Sequence, residues 1–583
     1  MSSGGQWIRP NGTGGPANGS GAGSGPVGRA PSPWVQQPSR PQPGLPGPEA
    51  AEVGQTEPLG TEFPSRASRR RTGQAQPVEL PKAGLWTDWV PLLLVLLVQG
   101  VLSFRLIGMN TAFLDEGTYL YSGYQEVAHL LHGHPVDSYQ TFFSGAPVIY
   151  PVLVAVAAHA GGLVAARLLS MAFMLSATVA LHLATRRIRD STAAFFATAL
   201  FAALGPTQFL GGFATYDAMA LACLVWAGYF AVRAATGGSS LNLVVAALAM
   251  ALADCTKYAS LLWTPVVIGV AIFAGTTAAP WQWARWKRGC VLLALWAVAI
   301  AVPAVLAGSS YLKGFNSTTL QRQVGSDAQS YVAESAAKWI GALLVLTLIA
   351  VIVTWFATRR RGAAARSEFW LALVLLLGGL LAPANQIRIH TWLSLQKHVD
   401  FGAWFACIAA GILLARLFTV LRGRVHVTAG AVLAVAVIVP LGYVGASQAK
   451  EMFTAWPNST SFVATLKPYI HKGTDQYLVE DYDVPAYYLR STSNWQQWHD
   501  LEAISYTDPK TGAHLFGPPA IEAEIAVHHY KVVVLDFAET PATDVAIQPS
   551  LKKAGYRVLT TVVSTKSGTT ARYTIYLAPG YGR

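Results

Sequence analysis

Long apolar runs, separated by short polar turns, occupy the chain from about residue 86 to about residue 446. A run of about 20 apolar residues can cross a bilayer as a helix. The pattern predicts a polytopic α-helical membrane protein with about eleven transmembrane helices. Their predicted positions are 86–107, 161–184, 192–210, 217–235, 241–255, 259–275, 289–308, 338–357, 368–384, 399–420 and 425–446. The pair within 241–275 could also be one long broken helix, which would invert the topology of everything that follows.

The two ends of the chain have different patterns. Residues 1–82 are rich in Gly, Pro and Ser and poor in aliphatic side chains, which predicts a disordered tail. Residues 447–583 alternate strand-like segments, such as Lys531–Asp536, with helix-like segments, such as Pro519–His529. This alternation is typical of a small α/β domain. The transmembrane domain is therefore expected to take residues 83–446.

Composition and charge support a membrane protein and suggest its orientation. Hydrophobic residues make up 52% of the 583 positions and charged residues only 12%, about half of the usual share in soluble proteins. The net charge of +12 does not indicate a nucleic-acid partner, because Lys and Arg lie mainly in short loops between apolar runs. With eleven spans and a cytoplasmic N-terminus, these loops all face the cytoplasm, as the positive-inside rule requires. The C-terminal α/β domain is then extracytoplasmic.

Two adjacent carboxylates, Asp115 and Glu116, follow the first apolar run. Carboxylates beside a membrane are costly and usually functional. The predicted topology places both on the outer face, with five other polar residues near the outer ends of later spans: Asp217, Lys257, Arg388, Lys397 and His398. We expect one outward-facing polar cavity there, covered by the long outer loops 108–160 and 309–337. Asp254 is expected to form a structural ion pair with Lys257.

Three segments carry a resemblance to a known family: Phe113–Tyr119 (FLDEGTY), Ala214–Ala218 (ATYDA) and Cys255–Leu262 (CTKYASLL). In this topology the chain resembles the GT-C glycosyltransferases over about residues 85–446. It is most similar to the protein O-mannosyltransferase and aminoarabinose-transferase-like proteins, glycosyltransferase family 39 and its relatives. Oligosaccharyltransferases share the architecture but carry a Trp-Trp-Asp signature in the soluble domain. The segment Trp495–Asp500 is not that signature, so we set this subgroup aside.

The resemblance implies transfer of a sugar from a polyprenyl-phosphate donor to an acceptor hydroxyl on the extracytoplasmic face, with inversion. By resemblance Asp115 is the base and Glu116 orients it or the acceptor. The remaining candidates bind substrate, and the cations among them contact the phosphate leaving group. Mannose is the first expectation for the sugar, with arabinose, glucose and galactose also open, and the acceptor can be a protein, a glycan or a lipid. The family chemistry requires no cofactor, but the Asp-Glu pair leaves a divalent cation open.

Two other classes of function compete with this interpretation. A polytopic transporter or lipid-linked sugar flippase would also contain many spans and buried charges. Transporters tend to have inverted repeats and broken helices at the membrane midplane. No internal repeat is evident, and the unusual charges gather at one face instead. A membrane scaffold or sensor acting through its C-terminal domain would leave Asp115 and Glu116 without a role.

Overall fold

The computed structural model describes residues 84, 86, 89–141, 143–275, 282–322, 324–361, 363–424, 427–501, 504–538, 540–564 and 570–582. The predicted disordered tail, 1–82, lies outside the described residues. The helices are α1 (Val90–Ile107), α2 (Leu114–His132), α3 (Tyr150–Ile188), α4 (Ser191–Ala203), α5 (Gly205–Gly211), α6 (Tyr216–Ala235), α7 (Leu241–Thr256), α8 (Thr264–Phe273), α9 (Trp283–Ala307), α10 (Ser309–Phe315), α11 (Gln329–Arg361), α12 (Ala363–Arg388), α13 (Trp392–Arg424), α14 (Val427–Phe453), α15 (Thr460–Leu466), α16 (Asp483–Tyr488), α17 (Pro518–Ala526) and α18 (Pro541–Lys553).

Every predicted apolar run lies in a helix or a broken pair of helices. Seven described helices are long and apolar enough to cross a membrane, and α4 with α5, bent by 72°, raises the number to eight. Helix α7 and the segment Tyr258–Phe273 are apolar but shorter. The protein is therefore a multi-span helical membrane protein, and the count of eleven remains a prediction.

Helix α3 begins earlier than predicted, at Tyr150 instead of about 161. Its 39 residues would extend about 58 Å as one straight helix, much longer than the roughly 30 Å hydrocarbon core. A kink at Gly161 and Gly162 divides it, and Gly162 has a φ of +59°. Glycine adopts this backbone conformation without the steric penalty that a side chain would bring.

The interior of the helical part is centred on α13, which packs against α4, α11 and α12. Small residues let these helices approach closely, as is common between membrane helices. Trp404 on α13 is fully buried, and its indole nitrogen donates a hydrogen bond of 2.9 Å to the Ala177 carbonyl of α3. This packing places the N-terminal turns of α13 beside the start of α2, where the site lies.

The C-terminal part is an α/β structure, as predicted. Its strands are β1 (Gln476–Val479), β2 (Trp498–His499), β3 (Ser505–Thr507), β4 (His514–Phe516), β5 (Tyr530–Leu535), β6 (Arg557–Ser564) and β7 (Ala571–Leu577). Five of them form a sheet of order β2-β1-β5-β7-β6, in which β1 is parallel to both neighbours and β7 antiparallel to both of its own. Strands β3 and β4 form a separate hairpin.

The α/β part shares a hydrophobic core with the beginning of the helical part. Tyr119, Leu120 and Tyr121 of α2 pack in one buried cluster with Tyr477 of β1 and Trp495. Helix α16 lies directly against α2. Helix α14 continues past the predicted domain boundary at 446, as far as Phe453. The α/β part is therefore built onto α2.

Helix α14 offers a stability test of the fold. A Cβ on Gly445 would lie 1.9 Å from the Ala203 carbonyl oxygen at the bend between α4 and α5, whereas a Cβ on Gly442 would meet nothing within 4 Å. Overpacking of this kind costs about 1–3 kcal/mol. We expect Gly445→Ala to lower the thermal unfolding temperature of the detergent-purified protein, and Gly442→Ala to leave it nearly unchanged. Equal unfolding temperatures would contradict the close helix contact.

Candidate active site at the start of helix α2

The site is organised by the first turn of α2, where Asp115 and Glu116 are both buried. Acidic residues are favoured in the first turn because the backbone N–H groups there carry a partial positive charge. Glu116 Oε2 also accepts a hydrogen bond of 3.0 Å from the Phe113 N–H, which fixes the start of the helix. The two side chains then leave the helix towards different partners.

Glu116 faces Arg167 of α3, and both side chains are completely buried. The guanidinium donates to both carboxylate oxygens, with distances of 2.8 and 2.6 Å. Glu116 Oε1 also accepts 2.8 Å from the Ala214 N–H, just before α6. Glu116 therefore joins α2, α3 and the start of α6, and its oxygens are occupied by these contacts.

Asp115 and Asp217 each form a buried ion pair with a lysine. Asp115 Oδ2 pairs with Lys397 of α13, and Asp217 Oδ1 pairs with Lys257, which follows α7. Asp217 lies in the first turn of α6, where its other oxygen accepts 3.0 Å from the Thr215 hydroxyl. His398 Nε2 lies 3.7 Å from Asp217 Oδ1.

Aromatic rings support these charges. The Lys257 ammonium lies 4.4 Å from the centre of the Tyr216 ring, a cation–π contact. Tyr216 packs in turn on Tyr119, one helical turn after Asp115, with ring centres 4.4 Å apart. The Lys257–Asp217 pair thus lies against an aromatic wall made by α2 and α6.

The lysines border a cavity of about 380 Å³. Its polar lining contains Tyr216, Lys257, Arg322, Arg388, Lys397 and His398. Its apolar lining includes Leu261, Leu262, Trp263, Phe315, Leu320 and Ile389. The segment from Phe315 to Arg322 belongs to the loop predicted to cover the cavity. The cavity therefore combines several cations with an apolar wall.

Asp115 and Asp217 are each joined to this cavity through the lysine with which they pair, whereas Arg388 lines the cavity itself. Arg388 is exposed, and its guanidinium donates 2.9 Å to the Asn385 side-chain oxygen. His398 is held by the Gln386 side chain, 2.8 Å from Nδ1. Of the seven predicted residues, six lie at this cavity or one ion pair from it, and Glu116 turns towards Arg167.

Burial changes the acid–base properties of two cations outside the spanning helices. It lowers the pKa of Lys257 to about 8, and the neighbouring Asp217 opposes that shift. Burial also lowers the pKa of Arg322, although an arginine keeps its charge. Lys257 is consequently a cation whose charge can be lost at moderately alkaline pH.

Two arginines of the site, Arg167 and Arg322, were not predicted from the sequence. Arg167 lies inside the predicted span 161–184, where a charged residue is itself a signal of function or pairing. Arg322 lies in a loop predicted to be on the outer face. The positive-inside rule does not account for a cation on that face. In the structure its guanidinium donates 3.0 Å to the Ser394 hydroxyl.

The expected pairing of Asp254 with Lys257 is wrong. Asp254 accepts hydrogen bonds from the Ser260 hydroxyl at 2.6 Å and from the Trp296 indole nitrogen at 2.8 Å. Helix α7 ends at Thr256, and the extended backbone of Lys257 directs its side chain to Asp217 instead.

Asp115 and Glu116 point at different cations, Lys397 and Arg167, so they do not present a joint set of metal ligands.

Comparison with known proteins gives a likeness in fold. No family model matches the sequence, and a search of curated proteins finds no match. ArnT from Cupriavidus metallidurans in the apo state has a TM-score of 0.53 at 15% identity, covering 85% of this chain and 98% of that one. ArnT bound to undecaprenyl phosphate has the same TM-score at 16% identity, covering 84% and 98%. The oligosaccharyltransferase of Archaeoglobus fulgidus has a TM-score of 0.50 at 13% identity, covering 86% and 76%.

These neighbours are GT-C glycosyltransferases. The chain has the GT-C fold. The fold expected from the three sequence segments is therefore confirmed, and it extends over the C-terminal α/β part as well. In this GT-C structure the candidate site lies at the start of α2, beside the cavity.

The Glu116–Arg167 pair gives a stability test. Glu116→Gln leaves a buried guanidinium without its counter-charge, which costs about 3–5 kcal/mol. The exposed pair between Glu451 and Lys338 provides the matched control, because Glu451→Gln costs about 1 kcal/mol or less. We expect the first variant to unfold at a clearly lower temperature than the second. Equal effects on the unfolding temperature would contradict a buried, uncompensated charge.

Proposed function

We propose that this protein is a membrane glycosyltransferase that moves a sugar from a polyprenyl-phosphate donor to an acceptor hydroxyl. The observation that carries the proposal is the position of Lys397, which pairs with Asp115 and also borders the cavity. A single cation thus connects a carboxylate suited to act as a base with a space suited to a phosphate. The GT-C fold and the neighbour that binds undecaprenyl phosphate support this assignment.

The proposed reaction is a direct displacement at the anomeric carbon. Asp115 takes the proton of the acceptor hydroxyl, the acceptor oxygen bonds to the anomeric carbon, and the bond from that carbon to the phosphate oxygen breaks. The polyprenyl phosphate leaves with the electron pair, and the configuration inverts. When the phosphate binds, it competes for Lys397, which frees the Asp115 carboxylate to accept the proton.

Each remaining candidate has a place in this scheme. Lys257, Lys397, Arg322 and Arg388 stabilise the negative charge that develops on the leaving phosphate. His398 donates a hydrogen bond to the phosphate or the sugar, and Asp217 holds Lys257 in position. Glu116, bound to Arg167, is a positioning residue that fixes the first turn of α2. The apolar wall of the cavity would accommodate the start of the polyprenyl chain.

The sugar and the acceptor belong to the proposal as well. Mannose is the first candidate for the sugar, carried over from the sequence resemblance, with aminoarabinose supported by the ArnT neighbour. The acceptor is a hydroxyl of a protein, a glycan or a lipid on the extracytoplasmic face. Screening polyprenyl-phosphate mannose, glucose, galactose, arabinose and aminoarabinose donors with purified protein distinguishes hexosyl from pentosyl transfer.

Asp115→Asn tests the base directly. The variant keeps the side-chain volume but cannot accept the proton, and general base catalysis typically contributes about 10²–10⁴-fold. We expect kcat for transfer from radiolabelled polyprenyl-phosphate sugar to fall by that factor, and Asp115→Ala to behave alike. Asp137→Asn is the control. Asp137 is a partly buried residue of the same loop region, and among the described residues its carboxylate accepts hydrogen bonds only from Gln496.

Full activity of both Asp115 variants, at normal expression, would remove Asp115 from the role of base. The transporter or flippase alternative would be favoured if the wild-type protein transfers no sugar with any donor and acceptor fraction but moves labelled lipid-linked sugar across the membrane of proteoliposomes.

Lys257 gives the reaction a pH dependence. Its pKa of about 8 means that the free enzyme loses this cation as the pH rises through 8. Phosphate binding requires the protonated form, so kcat/KM for the donor should fall by about tenfold per pH unit above that value. In Lys257→Arg the guanidinium stays charged, and the decline should move to higher pH. The same alkaline midpoint in both proteins would contradict the role of Lys257.

A further inference from the structure

A second group of carboxylates lies in the C-terminal α/β part. Glu480 directly follows β1, Asp536 directly follows β5, and Asp544 lies in the first turn of α18. Strands β1 and β5 are parallel neighbours, so their carboxyl ends meet at one edge of the sheet. The chain continues from β1 to β2 on one side and from β5 to β6 on the other side of this pair, in opposite directions. Such a point in an open sheet is a frequent place for ligands.

The three side chains are close enough to share one ion. One carboxylate oxygen from each lies within 4.8 Å of the others. Ligands of one Ca²⁺ ion, bound at about 2.3–2.6 Å, can lie no more than about 5 Å apart. Glu480 and Asp544 are fully buried, and Asp536 is 7% exposed. Burying three carboxylates together is costly unless their charge is neutralised.

Backbone N–H groups and one hydroxyl orient the carboxylates of Glu480 and Asp544. Glu480 Oε2 accepts from the Asp536 N–H at 2.5 Å, and Oε1 accepts from the Thr540 N–H at 3.0 Å and from its hydroxyl at 2.5 Å. Asp544 Oδ2 accepts 2.8 Å from the Phe537 N–H. Glu480 Oε2 and Asp544 Oδ2 each accept one of these hydrogen bonds and keep a second lone pair, which leaves capacity for a cation.

One buried atom is left over. Asp544 Oδ1 has no hydrogen-bond partner among the residues that the structure describes. A buried oxygen of this kind requires an explanation, such as an ion or a water molecule. Because it belongs to a carboxylate of the cluster, a cation shared with Glu480 and Asp536 would satisfy it.

We propose that Glu480, Asp536 and Asp544 bind a hard divalent cation, Ca²⁺ or Mg²⁺. A set of oxygen ligands selects these ions, or Mn²⁺, over zinc, which prefers nitrogen and sulfur. The alternative is a proton held by Glu480, because burial and the neighbouring Asp536 raise the pKa of that carboxyl to about 9. The two possibilities differ in their response to a chelator.

The site would stabilise the contact between the α/β part and α2. Glu480 is three residues before Asp483, the first residue of α16. The Asp483 side chain accepts 2.8 Å from the hydroxyl of Thr118, which lies one turn along α2 from Asp115. A cation at Glu480 therefore fixes the segment that docks onto the start of α2. This inference does not depend on the proposed glycosyl transfer.

The experiment uses the full-length protein in detergent. After treatment with EDTA and removal of the chelator, the unfolding temperature is measured in separate titrations with Ca²⁺, Mg²⁺ and Mn²⁺ at neutral pH. A ligand that binds only the folded state raises this temperature, by about 5 °C or more well above its dissociation constant. Equilibrium dialysis with radioactive Ca²⁺ measures the number of ions bound per protein molecule. We expect the wild type to bind one ion more than a variant in which one of the three carboxylates is substituted.

Two variants and one control locate the ion. Glu480→Gln imitates the protonated carboxyl, so it should unfold near the metal-free wild-type temperature but no longer respond to metal. Asp544→Asn should also lose the response, and Glu522→Gln on α17 should keep it. No metal response of the wild type with any of the three ions would overturn the proposal and leave the proton on Glu480. A response that persists in both variants would overturn it too, since the ion would then bind elsewhere.

Discussion

The buried guanidinium of Arg167 is the interaction on which the site depends. It donates to the Ile107, Asn110 and Thr111 carbonyls, at 2.7, 2.9 and 3.0 Å, and to both oxygens of Glu116. One side chain of α3 thus binds the end of α1, the following loop and the first turn of α2. A charge without access to water is stable only when its donors are satisfied in this way. Because Glu116 is fixed, the residue before it, Asp115, has a defined direction.

The elements that follow local rules were predictable from the sequence. A membrane helix must satisfy its backbone groups internally, so apolar length indicates where helices lie, and each predicted run corresponds to helical structure. The alternation after residue 447 likewise indicated the α/β part, since strand and helix periodicity differ. The kink of α3 at Gly161–Gly162 was not predicted, because a pair of glycines is compatible with a continuous membrane helix.

The contacts of the site depend on long-range packing, which one sequence does not reveal. Asp115 and Lys397 are 282 residues apart, and the topology could place them on one face but not pair them. Asp254 shows the opposite error. Its neighbour in sequence, Lys257, was the expected partner, but Trp296 of α9 competes for Asp254 and the end of α7 turns Lys257 away. Arg167 was visible in the sequence as a charge within an apolar run.

The ion pairs beside the cavity also set the charge that it would present to the substrate and the product of the proposed reaction. Lys257 and Lys397 are balanced by Asp217 and Asp115, which leaves Arg322 and Arg388 as surplus positive charge at the cavity. A sugar-phosphate diester carries one negative charge, whereas the phosphate monoester left after transfer approaches two near neutral pH. Under the proposed transfer, such a site would bind the spent lipid carrier more strongly than the loaded one. Release of the carrier would then limit turnover, and carrier accumulating in the membrane would inhibit the protein.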